Sequence, residues 1–291
     1  MSAHAACSSA CDASPRRWSP SGLLRASALV HGGAALGALA WPAHWPLALG
    51  VVAGNQALLG LAGMLPRCGW LGPNLTRLPA PAAARGEVAL TFDDGPDPAV
   101  TPRVLDLLEG AGARATFFCV GERLADQPEL AREMVRRGHL IENHTASHPH
   151  AFAAYGWRRM TAQVARGQRL IEQATGRAPR FFRAVAGLRN PLLDPILARQ
   201  GLHLAAWTRR GYDTRCGDPD TVLRRLTRRL AAGDILLLHD GRAARTAAGE
   251  PVVLAVLPRL LAELQARGLR PVTLDAACPA MPAPALAGVA A

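Results

Sequence analysis

Short apolar stretches with β-strand composition alternate with amphipathic stretches over residues 86–276. The amphipathic stretches, such as ELAREMVRR, TVLRRLTRRL and VVLAVLPRLLAELQARG, repeat apolar residues at helical spacing. Strands that alternate with helices predict a parallel sheet whose faces are covered by helices, which restricts the fold to the α/β class. The seven candidate strands fall at 87–92, 114–119, 138–143, 179–183, 202–208, 234–239 and 270–274.

Polar side chains that could take part in catalysis or metal binding follow several of these strands, at the point where each strand ends. If the strands form a (β/α) barrel, their carboxyl ends meet at one opening, so residues far apart in the chain can share a site. The sequence therefore predicts a single site at that opening. Its candidate residues are Asp93 and Asp94 after the first strand, His144 and His148 after the third, Arg183 at the end of the fourth, Asp213 after the fifth and His239 at the end of the sixth.

Three of these residues form a candidate metal site. Asp94, His144 and His148 combine a carboxylate with two imidazoles, a ligand set that suits Zn²⁺ or another borderline divalent ion and leaves a position open for water. The spacing in HTASH predicts that both imidazoles lie on the same side of one helical turn. With Asp94 on the metal, Asp93 would lie beside the metal's water and could act as a general base. The alternatives are a DDGPDP segment that only forms a turn and an HxxxH that is only structural.

Two apolar segments, 23–41 and 46–65, precede the α/β region. The second contains no charged residue and is long enough to cross a bilayer as a helix. The linker WPAHWP places Trp where a membrane interface is expected. We predict a two-helix membrane hairpin over 22–65, in which the GxxxG motifs Gly33–Gly37 and Gly50–Gly54 allow the helices to approach closely. A cleaved signal peptide and a buried soluble hairpin are the alternatives.

Basic residues predict how this hairpin is oriented. The connecting loop has no Lys or Arg, whereas both outer flanks contain Arg, so the positive-inside rule places both ends in the cytoplasm. The prediction is therefore a bacterial inner-membrane protein with two transmembrane helices and a cytoplasmic α/β domain. The flanking basic residues are Arg16, Arg17, Arg25, Arg67, Arg77 and Arg85.

The formal net charge of +11 comes from arginine alone, because the chain has 33 basic residues and no lysine. These arginines are spread along the chain and only two tyrosines are available for base stacking, so nucleic acid is not an expected partner. The six cysteines show no CxxC spacing. Composition also predicts a disordered head at 1–21, a linker at 66–85 and a flexible tail at 277–291.

The segments TFDDGP, HTASH and LLLHD, in this order and spacing, resemble the polysaccharide deacetylase family, which is the chitooligosaccharide deacetylase homology domain of carbohydrate esterase family four. The resemblance covers the region 86–276. It implies a distorted seven-stranded (β/α) barrel that hydrolyses N-acetyl groups of amino sugars with the help of a divalent metal. That metal is commonly Zn²⁺, with Co²⁺ or another divalent ion also possible.

The resemblance also implies a role for each matching residue. It assigns Asp93 as the catalytic base, Asp94, His144 and His148 as the metal ligands, His239 as the general acid, Arg183 as the residue that orients the base, and Leu237 as an apolar wall around the acetyl methyl group. Trp207 is a further candidate for the substrate cleft, with a core position as the alternative.

Two motifs depart from the family pattern. RAVAG has Val185 where the family usually has Pro and Ala186 where it often has Tyr. The oxyanion donor at that position is a backbone N–H, which Ala186 can supply if the loop keeps its shape. WTRRGYDTR stands where the family has an Asp-rich stretch ending in Asp-Trp, with Thr214 at the Trp position. Asp213 is the candidate partner that orients His239, and a solvated loop carboxylate is the alternative.

The predicted function is a metal-dependent hydrolase that removes N-acetyl groups from an amino-sugar polymer or glycoconjugate. Its expected partners are an N-acetylated carbohydrate and, through 22–65, a lipid bilayer. The altered motifs support an alternative, a catalytically impaired barrel that binds glycans or lipid-linked sugars at the membrane. A structural membrane protein is a third possibility. Retention of Asp93 favours the enzyme, and the sequence indicates neither the substrate nor the oligomeric state.

Overall fold

One parallel sheet forms the centre of the chain, for which the computed structural model describes residues 17–279 and 281. Seven strands follow one another in the order β5-β4-β3-β2-β1-β7-β6, and β8 pairs with the first residues of β1. The sheet curls into a half-barrel, so the predicted α/β class and barrel-like architecture are confirmed. The strands are β1 (Glu87–Asp93), β2 (Thr116–Cys119), β3 (Leu140–Asn143), β4 (Phe181–Phe182), β5 (His203–Leu204), β6 (Arg209–Arg210), β7 (Ile235–His239) and β8 (Arg270–Val272).

Helices cover the outer face of this sheet. Val88, Leu90 and Phe92 of β1 pack in one apolar core with residues of the covering helices, whereas Ala89 packs with Leu237 in a second core. Because both faces of β1 are covered, its sequence is apolar throughout, as in other buried parallel strands. The helices are α1 (Gly22–Ala40), α2 (Trp45–Met64), α3 (Ala80–Ala84), α4 (Thr101–Gly110), α5 (Gly121–Ala125), α6 (Pro128–Arg136), α7 (Trp157–Thr175), α8 (Leu193–Arg199), α9 (Pro219–Thr227), α10 (Val252–Ala266) and α11 (Leu274–Ala277).

Within the predicted strand 202–208, only His203–Leu204 is a strand, β5, and the next strand, β6, begins at Arg209 at the opposite end of the seven-strand order. The residues between them bond to other segments. The N–H of Ala206 donates to Leu75 O at 2.9 Å, and the N–H of Thr208 donates to Ile235 O at 2.8 Å. The chain therefore crosses from one edge of the curled sheet to the other at this point, which interrupts the strand.

Residues 66–85, predicted as a linker from composition, are attached to the sheet along much of their length. Leu75 forms a parallel bridge with Ala205, and the N–H of Leu78 donates to Gly233 O at 2.8 Å. Leu78 and Ala82 are buried. The segment thus holds the hairpin at a fixed place beside the half-barrel.

The helices α1 and α2 form an antiparallel hairpin, and each is long and apolar enough to be a candidate membrane span. Side chains bond between them: Asn55 Nδ2 donates to Ser27 Oγ at 2.7 Å, and Gln56 Nε2 lies 3.0 Å from His31 Nε2. The prediction that the helices approach closely at the GxxxG motifs is wrong. A Cβ at Gly33, Gly37, Gly50 or Gly54 would meet no atom within 4 Å, and the side-chain bonds between the helices come from other positions.

The described ends of the chain also touch the folded part. Trp18 Nε1 donates to Asp194 Oδ2 at 3.0 Å, and Ser21 Oγ donates to Trp70 O at 2.6 Å. At the other end, Met281 O accepts from the Arg180 guanidinium. Of the predicted head 1–21 and tail 277–291, residues 1–16, 280 and 282–291 lie outside the described residues.

Candidate active site and metal centre

Two adjacent carboxylates leave β1 on the same side of the sheet. Alternate residues of a strand share a face, so Asp93 points inward with Thr91, and both accept hydrogen bonds from Arg183. A continued strand would turn Asp94 to the opposite face. Instead Asp94 has φ 70°, a left-handed conformation that Asp adopts more readily than most residues. Both carboxylates therefore line one cavity.

Asp94 lies between the two imidazoles of HTASH. Its Oδ1 is 3.2 Å from His144 Nε2 and 2.9 Å from His148 Nε2. The three candidate ligand atoms all lie within 4.8 Å of one another. The predicted ligand set is thus brought together in a geometry that could hold one metal ion.

The imidazoles reach this position from a loop, and the prediction that one helical turn carries them is wrong. Residues 144–148 follow β3 without helical structure. Thr145 and His148 have φ values of 70° and 53°, and Thr145 Oγ1 accepts from the His148 N–H at 2.9 Å. These left-handed residues fold the loop back, so that a spacing of four places the two rings together without a helix.

The second nitrogen of His144 fixes its ring. His144 Nδ1 lies 2.8 Å from the Arg183 carbonyl oxygen, so Nδ1 carries a proton and Nε2 faces Asp94 Oδ1. Burial opposes both charged forms, but hydrogen bonds and charges of opposite sign outweigh it. They lower the pKa of Asp94 below its usual range and raise the pKa of His144. This concentration of negative charge favours a cation, and one carboxylate with two imidazoles fits a divalent metal.

Arg183 lies behind Asp93 and holds it in place. Its side chain is only 1% exposed, and NH1 donates to Asp93 Oδ1 at 2.7 Å and to Thr91 Oγ1 at 2.8 Å. Nε and NH2 donate to the carbonyl oxygens of Ala205 and Ala206. Because the guanidinium is fixed on all sides, the Asp93 carboxylate has one orientation. This contact agrees with the orienting role that the resemblance implies.

His239, the register partner of Asp93 at the end of β7, is paired with Asp213. His239 Nδ1 donates to Asp213 Oδ1 at 2.8 Å, and the His239 backbone N–H donates to Oδ2 at 2.7 Å. Burial alone would lower the pKa of His239, but the charge and hydrogen bond of Asp213, with the charges of Asp93 and Asp94, raise it to about 9. The imidazole is therefore protonated at neutral pH. Asp213 is buried rather than a solvated loop carboxylate.

The predicted site residues surround one cavity of about 320 Å³. Arg183 and Asp213 do not line it but support Asp93 and His239 from behind. Trp207 is 6% exposed and lines the cavity from the segment between β5 and β6. The predicted residues that line the cavity are Asp93, Asp94, His144, His148, Ala186, Trp207, Leu237 and His239.

Comparison with known proteins identifies the family to which the chain belongs. Residues 81–205 match the family model described as polysaccharide deacetylase. A peptidoglycan-N-acetylglucosamine deacetylase of Bacillus cereus is 32% identical over 190 residues, which cover 65% of this chain and 86% of that protein. The chain belongs to the polysaccharide deacetylase family.

Two further similar proteins belong to the same family. A chitooligosaccharide deacetylase of Sinorhizobium fredii is 35% identical over 200 residues, covering 67% of this chain and 93% of that protein. Among solved structures, a family 4 carbohydrate esterase from Streptomyces lividans in complex with acetate is 33% identical, with a TM-score of 0.58 over 64% of this chain and 91% of that one. The predicted family and the class of enzyme, a hydrolase of N-acetyl amide bonds, are confirmed.

The altered RAVAG motif of this polysaccharide deacetylase still forms a tight turn. The Gly187 N–H donates to Ala184 O at 2.8 Å, and the Leu188 N–H donates to Val185 O at 3.0 Å. Ala186 is exposed at the cavity with φ 54°, and its N–H takes part in neither bond. The loop thus keeps a compact shape without the usual proline.

Some residues of the site were not identified from the sequence. Thr91 helps to hold Arg183, and its position two residues before Asp93 on the same strand face could have revealed it. His150 and Arg242 also line the cavity. No sequence signal marks these two residues, because each lies in a loop whose course depends on packing.

Proposed function

We propose that this chain is a metal-dependent hydrolase that removes N-acetyl groups from an amino-sugar polymer or glycoconjugate at the bacterial inner membrane. The observation that carries the proposal is the meeting of Asp93, the Asp94–histidine cluster and His239 at one cavity. A glycan-binding protein would gain nothing from a buried carboxylate fixed by Arg183 beside that cluster.

Each side chain is placed for one step of amide hydrolysis. Asp93, oriented by Arg183, accepts the proton of the water that attacks the acetamide carbonyl. The N–H of Ala186 donates to the oxyanion that develops there. His239, held by Asp213, donates its proton to the departing amine. Base, acid and oxyanion donor thus all come from this chain.

The apolar wall and the metal ligands complete the site. Leu237 and Trp207 line the cavity and would contact the acetyl methyl group and the sugar ring. A divalent ion, which we propose to be Zn²⁺ on Asp94, His144 and His148, would polarise the carbonyl and lower the pKa of the attacking water. Co²⁺ or another divalent ion is compatible with the same donor atoms.

Metal analysis tests this centre directly. The purified full-length protein should contain about one divalent ion per chain, and His144→Ala should lower its affinity for that ion at least tenfold, because one of three protein ligands is lost. His150→Ala is the matched control, since His150 lines the same cavity outside the ligand set. Mass spectrometry of the dialysed proteins gives the stoichiometry. Equal metal content in His144→Ala and wild type would refute the ligand assignment.

The membrane location is proposed from the surface of the hairpin. Only 6% of the apolar stretch in Gly22–Ala40 and 17% of that in Pro42–Met64 is buried, so most of these side chains face outward instead of filling a soluble core. Helices of this length extend for roughly 30 Å, the thickness of a bilayer core. Trp41 and Trp45 at the closed end, and Trp18 and Trp70 at the open end, are exposed at the two expected interfaces.

A pair of reporter fusions tests the side of the membrane. A green fluorescent protein fused after Ala291 should fluoresce and an alkaline phosphatase there should be inactive, because the arginines flank the open end of the hairpin. Fusions after Ala43, in the connecting turn, are the control and should give the opposite result. An active phosphatase after Ala291 would place the catalytic domain outside the cytoplasm.

A further inference from the structure

A second cavity, of about 660 Å³, lies beside the catalytic cavity, and Trp207 and Arg210 line both. One wall is the segment 65–70, which directly follows α2. The other wall comes from the segment 207–212, which contains β6. We call this second cavity the interface groove. It connects the proposed catalytic residues with the end of the hairpin.

The interface groove is lined by positively charged residues that could bind an anion. Arg210 lies between two aromatic rings, with Cζ 5.2 Å from the Trp207 centroid and 4.9 Å from the Tyr212 centroid. Its Nε is buried and has no hydrogen-bond partner among the described residues. Arg67 lies in the opposite wall and donates to Thr208 O at 3.2 Å, which leaves its other N–H groups available. None of the described residues that line the groove is acidic.

A guanidinium that is held by aromatic rings and has no acidic partner among the described residues is a preorganised binding group for a phosphate oxygen. The rings of Trp207 and Tyr212 hold Arg210 without neutralising it, whereas a structural arginine such as Arg209 is paired with Asp234. A neutral oligosaccharide would not use this charge. The groove therefore indicates a substrate with an anionic group one subsite away from the N-acetyl group.

The position of the groove indicates what carries that anionic group. The wall containing Arg67 begins directly after Met64, the last residue of α2. The end of α2 is attached to the half-barrel, because the Arg189 N–H donates to Gly63 O at 3.1 Å and a side chain at Gly63 would overlap Arg189. Trp70, in the same wall of the groove, is 56% exposed. With α2 in a bilayer, the groove opens at the headgroup layer.

We infer that the substrate is an N-acetylated amino sugar joined through a phosphate or diphosphate to a membrane lipid, with the phosphate held by Arg67 and Arg210 in the interface groove. This inference rests on the proposed function, since the sugar is to be deacetylated in the adjoining cavity. The lipid remains in the bilayer beside α2, and the exposed Trp70 and Leu65 contact its first apolar carbons.

Binding is measured with the full-length chain in lipid nanodiscs, in the Asp93→Asn background so that no probe is consumed. The probes are an N-acetylglucosaminyl diphosphoryl polyprenol, the soluble UDP-N-acetylglucosamine and the neutral chitotetraose. The variants are Arg67→Ala and Arg210→Gln, with Arg67→Lys and Arg210→Lys as conservative partners. Arg169→Ala is the matched control, because Arg169 is an exposed arginine of α7 outside both cavities.

The lipid-linked probe should bind most tightly of the three, and each neutral substitution should weaken its binding by about tenfold to a hundredfold, the usual consequence of losing hydrogen bonds to a charged group. The lysine variants should recover part of that loss, and Arg169→Ala should bind as the parent does. Thermal melting of every variant excludes unfolding as the cause.

Two results would overturn the inference. The first is binding of the lipid-linked probe that does not change in Arg67→Ala and Arg210→Gln. The second is equal, arginine-dependent affinity for UDP-N-acetylglucosamine, which would show an anion site that does not use the lipid. Arginine-dependent binding of the lipid-linked probe together with no acetate release by the metal-loaded wild type would support the groove and contradict only the proposed hydrolysis.

Discussion

Replacing Asp93 with Asn should reduce acetate release from N-acetylglucosamine oligomers by about 10²- to 10⁴-fold, the range expected when a general base is lost. The side-chain amide of Asn has nearly the shape of the carboxylate, and its oxygen can still accept the 2.7 Å hydrogen bond from Arg183. It cannot accept the proton of the attacking water. The loss should therefore appear in kcat of the metal-loaded full-length enzyme, with metal content unchanged.

Asp97→Asn is the matched control, because Asp97 lies in the same DDGPDP segment but outside the cavity. Its Oδ1 accepts from the N–H groups of Ala99 and Val100 at the start of α4. We expect its activity to stay within about threefold of wild type. Melting curves are needed for Asp93→Asn, because a buried Arg183 without its carboxylate costs stability. If Asp93→Asn keeps more than about a tenth of the activity, the base lies elsewhere.

An absence of acetate release from the wild type has a different meaning. If the folded, metal-loaded wild type releases none from these oligomers or from a lipid-linked amino sugar, the glycan-binding alternative gains support. If it is active and Asp93→Asn is not, a pure binding function is excluded. The comparison thus separates a wrong residue assignment from a wrong class of function.

The location of the site could be predicted from the sequence because it depends on strand direction alone. Parallel strands expose their carboxyl ends at one edge, so Asp93, His144, Arg183 and His239 had to come together once their strands were recognised. The alternation of faces along β1 further places Asp93 inward with Thr91. Neither step requires knowledge of loop structure.

The remaining features depend on loops and edges, where local sequence has little influence. The pairing of Asp213 with His239 follows from the register of β6 on β7, in which Arg209 pairs with Leu236. The left-handed residues of HTASH resemble a helical turn in spacing only. The apolar run 202–208 predicts one strand, but hydrogen bonds with Leu75 end the strand after Leu204. Each of these outcomes is set by tertiary partners distant in sequence.

The pH dependence of hydrolysis follows from the pairing of His239 with Asp213. The departing amine needs a proton, so the active form of His239 is the imidazolium. Because its pKa is raised to about 9, the imidazolium is present at neutral pH and is lost as the pH rises through that value. A bound divalent cation offsets the charges of Asp93 and Asp94, which leaves Asp213 as the main cause of the raised pKa. Activity should therefore decline on the alkaline side, with a midpoint no higher than about 9.

Substitutions of His239 and of Asp213 should change the pH dependence of the rate in different ways. His239→Gln should lower kcat by about 10²- to 10⁴-fold and abolish this alkaline decline, because the imidazolium that donates the proton is removed. Asp213→Asn keeps the imidazole but removes its negative partner, so the decline should move from about 9 toward the ordinary imidazole value of 6.5. Rate profiles from pH 5 to 10 on the metal-loaded enzymes measure both effects, and Asp213→Glu should restore part of the shift. An unchanged alkaline midpoint in Asp213→Asn would mean that a group other than His239 protonates the amine, since a purely structural role for Asp213 lowers the rate without moving the midpoint.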